Sequence, residues 1–409
     1  MKIWVRYLLG IAAGVAIGFF INDLEINAGL WEEYSKVAVH IGTYMLVPLV
    51  FFGTIVSVHD LRENERTAAT FTKAIAGIVV FTAIAIGLGI LAVLFLNPGS
   101  VPIILEEPPI PTPPTITGLL QRAVPENALS ALSIAPENMI SALVLAVLLG
   151  VTISSDNRFA ALLEDITDGL GRVFYRINAG IVQVLGVALI AVTVDTVITV
   201  RTLGDQEFFG PVILVTAVSA FVLTVAIYPL FVYLFGGRWN PAPWLLAMVP
   251  QALAALVSGH LYFAGGTLAY LGHENLGVKR QVGGALVPIT LLFARAGSAM
   301  VASMAYIVVL NSYSGLDVAL TDVMWIAGSV FVFSFGLVAV PGSGVIVLLG
   351  MLSAGHGQGF EEAFLILRPA APILLGIAAY VDIMTAGAIL RIVAGSERQR
   401  SLPDVKDFI

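Results

Sequence analysis

The chain contains no cysteine, and only 11% of its 409 residues are charged. The absence of cysteine excludes disulfides, thiolate metal sites and thiol nucleophiles. The basic residues are sparse and scattered and the net charge is −7, so we expect no nucleic-acid partner. The HExxH and G-x-S-x-G motifs of common hydrolases are also missing. The sequence therefore predicts neither an enzyme nor a cofactor-binding protein.

Apolar residues dominate the chain instead, at 58% of the total with a mean hydropathy of +0.95. A helix needs roughly 20 apolar residues to cross a bilayer, so this length allows about eight crossings plus half-length pieces. Most of the surface then faces the lipid bilayer. Apolar runs between helix-breaking residues predict spans near 4–21, 35–58, 68–96, 137–154, 173–200 and 209–236.

The lysine and arginine positions predict the orientation. Lys2 and Arg6 precede the first apolar run, which has no small-x-small cleavage site, so we expect an uncleaved first helix. Most other basic residues fall in connections on one side, which the positive-inside rule makes cytoplasmic. We therefore predict an inner-membrane protein with both termini in the cytoplasm. The proline-rich segment 97–135 is predicted to be an external loop.

Two later apolar regions carry helix breakers in their middle. Residues 241–273 have basic residues at both ends, so they cannot cross the membrane once, and Ser258-Gly259-His260 lies at their centre. Residues 320–357 have no lysine or arginine at either end. We interpret both regions as re-entrant helical hairpins that enter from opposite faces. Full spans follow them near 281–311 and 362–395. The predicted fold class is an all-α membrane protein with eight transmembrane helices and two hairpins in inverted repeat.

Breaks in the helices are expected at residues 338–344 and 379–387, the second of which carries Asp382. Unwound backbone at membrane depth persists only where protein or a water-filled cavity satisfies its N–H and C=O groups. Inverted repeats bind solutes near the membrane midplane, where such segments meet. The breaks therefore favour a solute site.

Four motifs follow one another along the chain: Met45-Leu46-Val47-Pro48-Leu49-Val50-Phe51, Leu96-Asn97-Pro98-Gly99, Ser258-Gly259 and Val340-Pro341-Gly342-Ser343-Gly344. Together they resemble the dicarboxylate/amino acid:cation symporters, the family of glutamate transporters, over nearly the whole chain. The last motif is the most specific. The resemblance implies a homotrimer and an elevator mechanism. It also implies a scaffold at 1–66 (spans 1 and 2) and 98–205 (the external loop and spans 4 and 5), and a transport domain at 67–97 (span 3) and 206–409 (span 6, both hairpins and spans 7 and 8).

The sequence departs from this family in the cation-binding motifs. The family's Asn-Met-Asp-Gly-Thr motif in span 7 corresponds to Ala294-Arg295-Ala296-Gly297-Ser298. The carboxylate that meets the substrate's amino group is kept as Asp382, but the arginine that reads an acidic side chain corresponds to Thr385. Sodium prefers several oxygen ligands, so its pattern is mostly absent and we predict no metal site. Further polar positions of the family correspond to Ala378, Ile389 and Val393.

Arg295 places a permanent charge at mid-span, which costs roughly 2.5–3.5 kcal/mol on insertion scales. It needs a partner or a wet cavity, and Asp382 is the candidate. One interpretation is a structural Arg295–Asp382 ion pair, and the other is that either residue contacts the solute. We also hypothesise that the guanidinium stands where a bound cation would otherwise sit.

The two hairpin tips present small residues and free backbone N–H groups, which suit a carboxylate on the solute. The alternative is that these residues only permit close helix packing. His260 beside the first tip has two interpretations, a hydrogen-bonded histidine or a proton-coupling group. The predicted substrate-binding residues are Ser258, Gly259, Arg295, Ser298, Val340, Pro341, Gly342, Ser343, Asp382 and Thr385.

The predicted function is secondary-active, elevator-type transport of a small carboxylate-bearing solute, either an amino acid or a dicarboxylate. Symport with a cation follows from the resemblance, whereas the missing ligands favour sodium independence. Sodium and a proton are the alternatives for a coupling ion. An anion-conducting channel or a non-transporting solute sensor on the same fold is the alternative function.

Overall fold

Helices form nearly all of the computed structural model, which describes residues 1–21, 24–101, 121–125, 127, 139–153, 158–202, 208–237, 240–314, 318–339, 342, 344–356, 363–396 and 405–409. The helices are α1 Ile3–Phe20, α2 Leu24–Thr43, α3 Leu46–Glu63, α4 Thr67–Leu96, α5 Met139–Thr152, α6 Arg158–Thr202, α7 Gly210–Val222, α8 Tyr228–Phe235, α9 Pro241–Ser258, α10 Leu261–Glu274, α11 Arg280–Phe293, α12 Ala296–Ser314, α13 Leu320–Ser334, α14 Gly344–His356 and α15 Ala371–Ser396.

Within these ranges, the segments long and apolar enough to cross a membrane are 3–20, 28–63, 67–96, 162–201, 210–235, 241–258, 280–313, 320–338 and 363–396. The predicted all-helical, multi-pass membrane fold is thereby confirmed. The predicted fourth span is the exception in length: α5 has 14 residues, about 21 Å at the rise of an α-helix. Most of the predicted external loop lies outside the described residues.

The first predicted hairpin consists of α9 and α10, which pack against each other. Asn240 caps the start of α9, where its Oδ1 accepts a hydrogen bond of 3.0 Å from the N–H of Ala242. The helix ends at Gly259, whose φ of +61° is a left-handed conformation that glycine adopts without strain. The chain therefore reverses where the sequence predicts the tip.

The second predicted hairpin consists of α13, a 3₁₀ turn over 335–339, and α14. Its two helices also pack against each other. Of the tip motif, Val340, Pro341 and Ser343 lie outside the described residues. The break expected at 338–344 is consistent with the end of regular helix at Ser334 and its restart at Gly344.

Span 7 is divided into α11 and α12 by Ala294 and Arg295. Span 8, in contrast, is one uninterrupted helix through Asp382, so the break predicted at 379–387 is wrong. That stretch contains no proline, and the hydroxyl of Thr385 is satisfied within the helix by the carbonyl of Val381 at 2.7 Å. The polar residues there require buried partners, and neighbouring helices together with the carbonyl of Val381 supply them without unwinding.

Spans 7 and 8 form the centre of the molecule. In the most apolar 18-residue stretch of each, 89% and 83% of the residues are buried, compared with 28% for α1. The helix α12 packs against α15, and α4 covers both. The outer helices therefore present apolar side chains to lipid, while the two central ones supply a shielded polar site.

Candidate functional site

The two hairpin tips and the two central helices meet around a small cavity of about 10 Å³. Its size is close to that needed for one water molecule. The lining residues come from both tips, the break in span 7 and the middle of span 8; they are Gly259, Leu261, Arg295, Ser298, Gly342, Gly344, Leu375, Ala378, Ala379 and Asp382.

Asp382 lies on α15 and is 1% exposed. Its Oδ1 accepts hydrogen bonds from the backbone N–H groups of Gly297 at 2.6 Å and Ser298 at 3.1 Å. Its Oδ2 accepts one from the hydroxyl of Ser298 at 2.7 Å. The carboxylate therefore caps the first turn of α12, where free N–H groups carry partial positive charge.

Arg295 lies in the break between α11 and α12 and is 2% exposed. Its Nη1 lies 4.0 Å from Oδ2 of Asp382, and its Nε donates a long hydrogen bond of 3.4 Å to the carbonyl of Leu292. The guanidinium carbon is 5.8 Å from the ring centroid of Tyr262, within the range of a cation–π contact. Nη2 has no hydrogen-bond acceptor among the described residues. A buried guanidinium N–H without an acceptor suits an oxygen-bearing solute group.

Small residues bring these elements together. A Cβ atom on Gly297 would lie 2.6 Å from Cβ of Val381 and 2.9 Å from the backbone N of Asp382. A Cβ on Gly342 would lie 2.7 Å from Cδ2 of His260, so the two hairpin tips are in contact. Glycine at both places permits an approach that closes the cavity.

Some predicted residues are not at the cavity. The hydroxyl of Ser258 donates to the carbonyl of Ala254 at 2.7 Å and accepts from the N–H of His260 at 3.2 Å, which closes the tip on itself. Thr385 shares a hydrogen bond of 2.6 Å with the hydroxyl of Tyr228 and lies outside the cavity lining.

Six further residues around Arg295 and the cavity were not predicted as site residues from the sequence. Tyr262 packs against Arg295 from α10, and the lining is completed by Leu261, Gly344, Leu375, Ala378 and Ala379. Gly344 is the last residue of the tip motif 340–344, so the motif could have predicted its place at the cavity. Tyr262 had no comparable signal, because its contact depends on how α10 leans against the break in span 7.

A multi-pass helical membrane protein with a buried charged pair enclosed between two helical hairpins belongs to the class of membrane solute transporters. The sequence matches the profile of the sodium:dicarboxylate symporter family over residues 3–394. The chain belongs to this family.

Three relatives show how distant the likeness is. A C4-dicarboxylate transport protein of Rhodospirillum rubrum is 21% identical over 86% of this chain and 78% of its own length. C4-dicarboxylate transport protein 3 of Ralstonia nicotianae is 23% identical over 86% and 79% of the two chains. An excitatory amino acid transporter of Caenorhabditis elegans is 19% identical over 87% and 81%.

Proposed function

We propose that the protein transports a small dicarboxylate across the inner membrane, with one solute carboxylate bound by Arg295. The observation that carries this proposal is the N–H of Arg295 Nη2, which is buried without an acceptor among the described residues beside the small cavity between the two hairpin tips. Because that cavity has room for about one water molecule, the tips would have to part to admit the solute. Guanidinium–carboxylate hydrogen bonds are among the strongest in proteins. The names of the bacterial relatives support the same solute class.

The surroundings of Asp382 favour a dicarboxylate over an amino acid. A carboxylate offers about four acceptor positions, and Asp382 uses three of them for Gly297 and Ser298. Arg295 lies beside the remaining oxygen position. An ammonium group on the solute would have to displace one of these partners, so a solute without one fits better.

Arg295 also supports transport that is independent of sodium. Its permanent charge neutralises the region in which a cation would otherwise balance Asp382. The side chains of Ala378, Ile389 and Val393 on helix α15 are hydrocarbon and offer no oxygen ligand. The guanidinium of Arg295 thus takes the place of a bound sodium ion.

Two remaining features of the proposal follow the family resemblance: a homotrimer, and an elevator movement of residues 67–97 and 206–409 against a scaffold of 1–66 and 98–205. The cytoplasmic termini follow from the positions of the lysines and arginines. His260 touches the second tip, and a proton-coupling role for it stays a prediction.

Uptake of labelled succinate, a C4 dicarboxylate, into proteoliposomes tests the proposal. We expect accumulation by exchange against internal succinate without sodium, and at least tenfold weaker uptake for Arg295→Gln. Arg201→Gln is the matched control, because Arg201 hydrogen-bonds the carbonyls of Gly18 and Ile21 away from the cavity. Steep sodium activation would contradict sodium independence, and uptake that internal succinate neither accelerates nor drives beyond equilibrium would identify a channel instead.

A further inference from the structure

A second, much larger cavity lies between α3, α6, α10 and α11 and has a volume of about 640 Å³. Ligand pockets in proteins typically measure about 300–1,000 Å³. The residues that line it are separate from those of the small cavity at the hairpin tips. A ligand held there would therefore be separate from the transported solute.

One part of the wall is apolar and can hold hydrocarbon. It is lined by Leu49 and Val50 of α3 and by Val287 and Pro288 of α11. None of these side chains offers a hydrogen bond. A lipid acyl chain that moved from the bilayer into this part of the cavity would exchange one apolar environment for another.

The other part of the wall carries three guanidinium groups, from Arg172, Arg176 and Arg280. Arg172 and Arg280 share the carboxylate of Asp168, at 2.8 Å and 2.5 Å. One carboxylate balances only one of these two charges. Arg176 forms no ion pair or hydrogen bond within the described ranges and is exposed. The arginines therefore leave uncompensated positive charge at the cavity.

One acid opposes this charge. Glu274 lines the cavity, and its Oε1 accepts a hydrogen bond of 3.2 Å from the hydroxyl of Tyr175. Three guanidinium groups and one carboxylate line the cavity, and Asp168 adds a second carboxylate that Arg172 and Arg280 share, so the charge at the cavity wall stays positive. A ligand here needs an anionic group for the arginines, and hydroxyl donors on it would suit Glu274.

We propose that this cavity binds an anionic phospholipid with a glycerol headgroup, such as phosphatidylglycerol. The phosphate would contact the arginines, a headgroup hydroxyl would donate to Glu274, and an acyl chain would lie along the apolar wall. Basic pockets between membrane helices on the cytoplasmic side are suited to anionic headgroups. Lys279 and Arg280 lie at a connection that the positive-inside rule predicts to be cytoplasmic.

Native mass spectrometry of the purified, detergent-solubilised protein tests this proposal. We expect phosphatidylglycerol to bind at least fivefold more tightly than phosphatidylcholine of the same chains. Arg176→Gln should weaken phosphatidylglycerol binding about fivefold, the attraction expected for one basic residue at an anionic headgroup. Lys279→Gln is the matched control, because it removes the same charge from an exposed residue that does not line the cavity. Equal binding of the two lipids, or an equal effect of both variants, would overturn the proposal.

A cavity-filling variant provides an independent test. Gly272 lines the cavity, and a Cβ atom there would meet no heavy atom within 4 Å. Gly272→Leu should therefore keep the thermal unfolding temperature and lose phosphatidylglycerol binding. Unchanged lipid binding by this variant would place the lipid elsewhere. Competition by glycerol 3-phosphate at the lipid's own concentration would show a site for free phosphate esters and not for lipid.

Discussion

At the scale of single residues, Asp382 has two roles, as the cap of a helix and as the partner of a buried arginine. It accepts three hydrogen bonds from the start of α12, and it lies 4.0 Å from the guanidinium of Arg295. Both groups are buried, so neither can obtain the missing stabilisation from water. The pair therefore serves the packing of α12 on α15 as well as any solute.

Removing this carboxylate should be strongly destabilising. Asp382→Ala leaves the N–H groups of Gly297 and Ser298 and the charge of Arg295 without their acceptor. Breaking a buried pair in this way costs about 3–5 kcal/mol. Thermal unfolding in detergent should show a large drop for Asp382→Ala and a smaller one for Asp382→Asn, which keeps one acceptor oxygen.

The double variant Arg295→Met/Asp382→Asn is the informative companion, because it removes both charges. It should unfold at a higher temperature than Arg295→Met alone or Asp382→Asn alone. Additive losses would show that the two side chains do not interact.

The sequence could predict that Arg295 and Asp382 are neighbours, because a lone charge at mid-span needs a partner. It could not predict that Asp382 caps α12, since this depends on how α12 and α15 are aligned. The partner of Thr385 was equally hidden. Tyr228 reaches it from the end of a π-helical turn over Leu223–Ile227, and such a turn changes the direction of the residues after it.

At the scale of helices, close approach between α12 and α15 depends on Gly297. Gly297→Ala would force its Cβ against Val381 and the backbone of Asp382. We expect a loss of about 1–3 kcal/mol, as for other overpacked sites, together with loss of succinate exchange. Thermal unfolding and exchange in proteoliposomes measure the two effects.

Gly328→Ala is the control for this variant. Gly328 lies in α13, and a Cβ atom there would meet nothing within 4 Å. Alanine should be neutral or stabilise the helix by up to about 1 kcal/mol. Equal losses for both variants would mean that the close contact at Gly297 is unimportant.

Helix-breaking residues were a good guide to the hairpins and a poor guide to span 8. Gly259 ends α9 because its backbone is left-handed, which is a local property that the sequence carries. The stretch 379–387 is polar without being broken, because Asp382 and Thr385 find partners across helices. Polarity in an apolar run therefore shows a buried contact and does not by itself show a break.

At the scale of the whole molecule, the predicted scaffold and the predicted transport domain meet where α6 touches α10. The Nδ2 of Asn178 donates a hydrogen bond of 2.8 Å to the carbonyl of Gly266, and a Cβ atom on Gly266 would lie 3.7 Å from Cγ of Asn178. The chain has no cysteine of its own, so an introduced pair can form only one disulfide.

The variant Asn178→Cys/Gly266→Cys should bind succinate but lose at least nine-tenths of its transport when oxidised, because the elevator movement separates the two residues. Reduction should restore transport. The control pair is Gly77→Cys/Ile389→Cys, within the predicted transport domain, where a Cβ on Gly77 would lie 3.2 Å from Cγ1 of Ile389. Full transport by the oxidised first pair would contradict the elevator movement and the predicted domain boundaries.

The guanidinium of Arg295, at the break in span 7, determines how the proposed transport depends on membrane voltage. Arg295 and Asp382 cancel each other in the empty protein, so under the proposed function a dicarboxylate that crosses without a cation carries its full negative charge. Each such charge gains or loses about 2.3 kcal/mol per 100 mV of membrane voltage. In a cell with a negative interior, a transporter that returns without bound solute would therefore export the dicarboxylate. Inward movement of the dicarboxylate would require a second anion to leave in exchange.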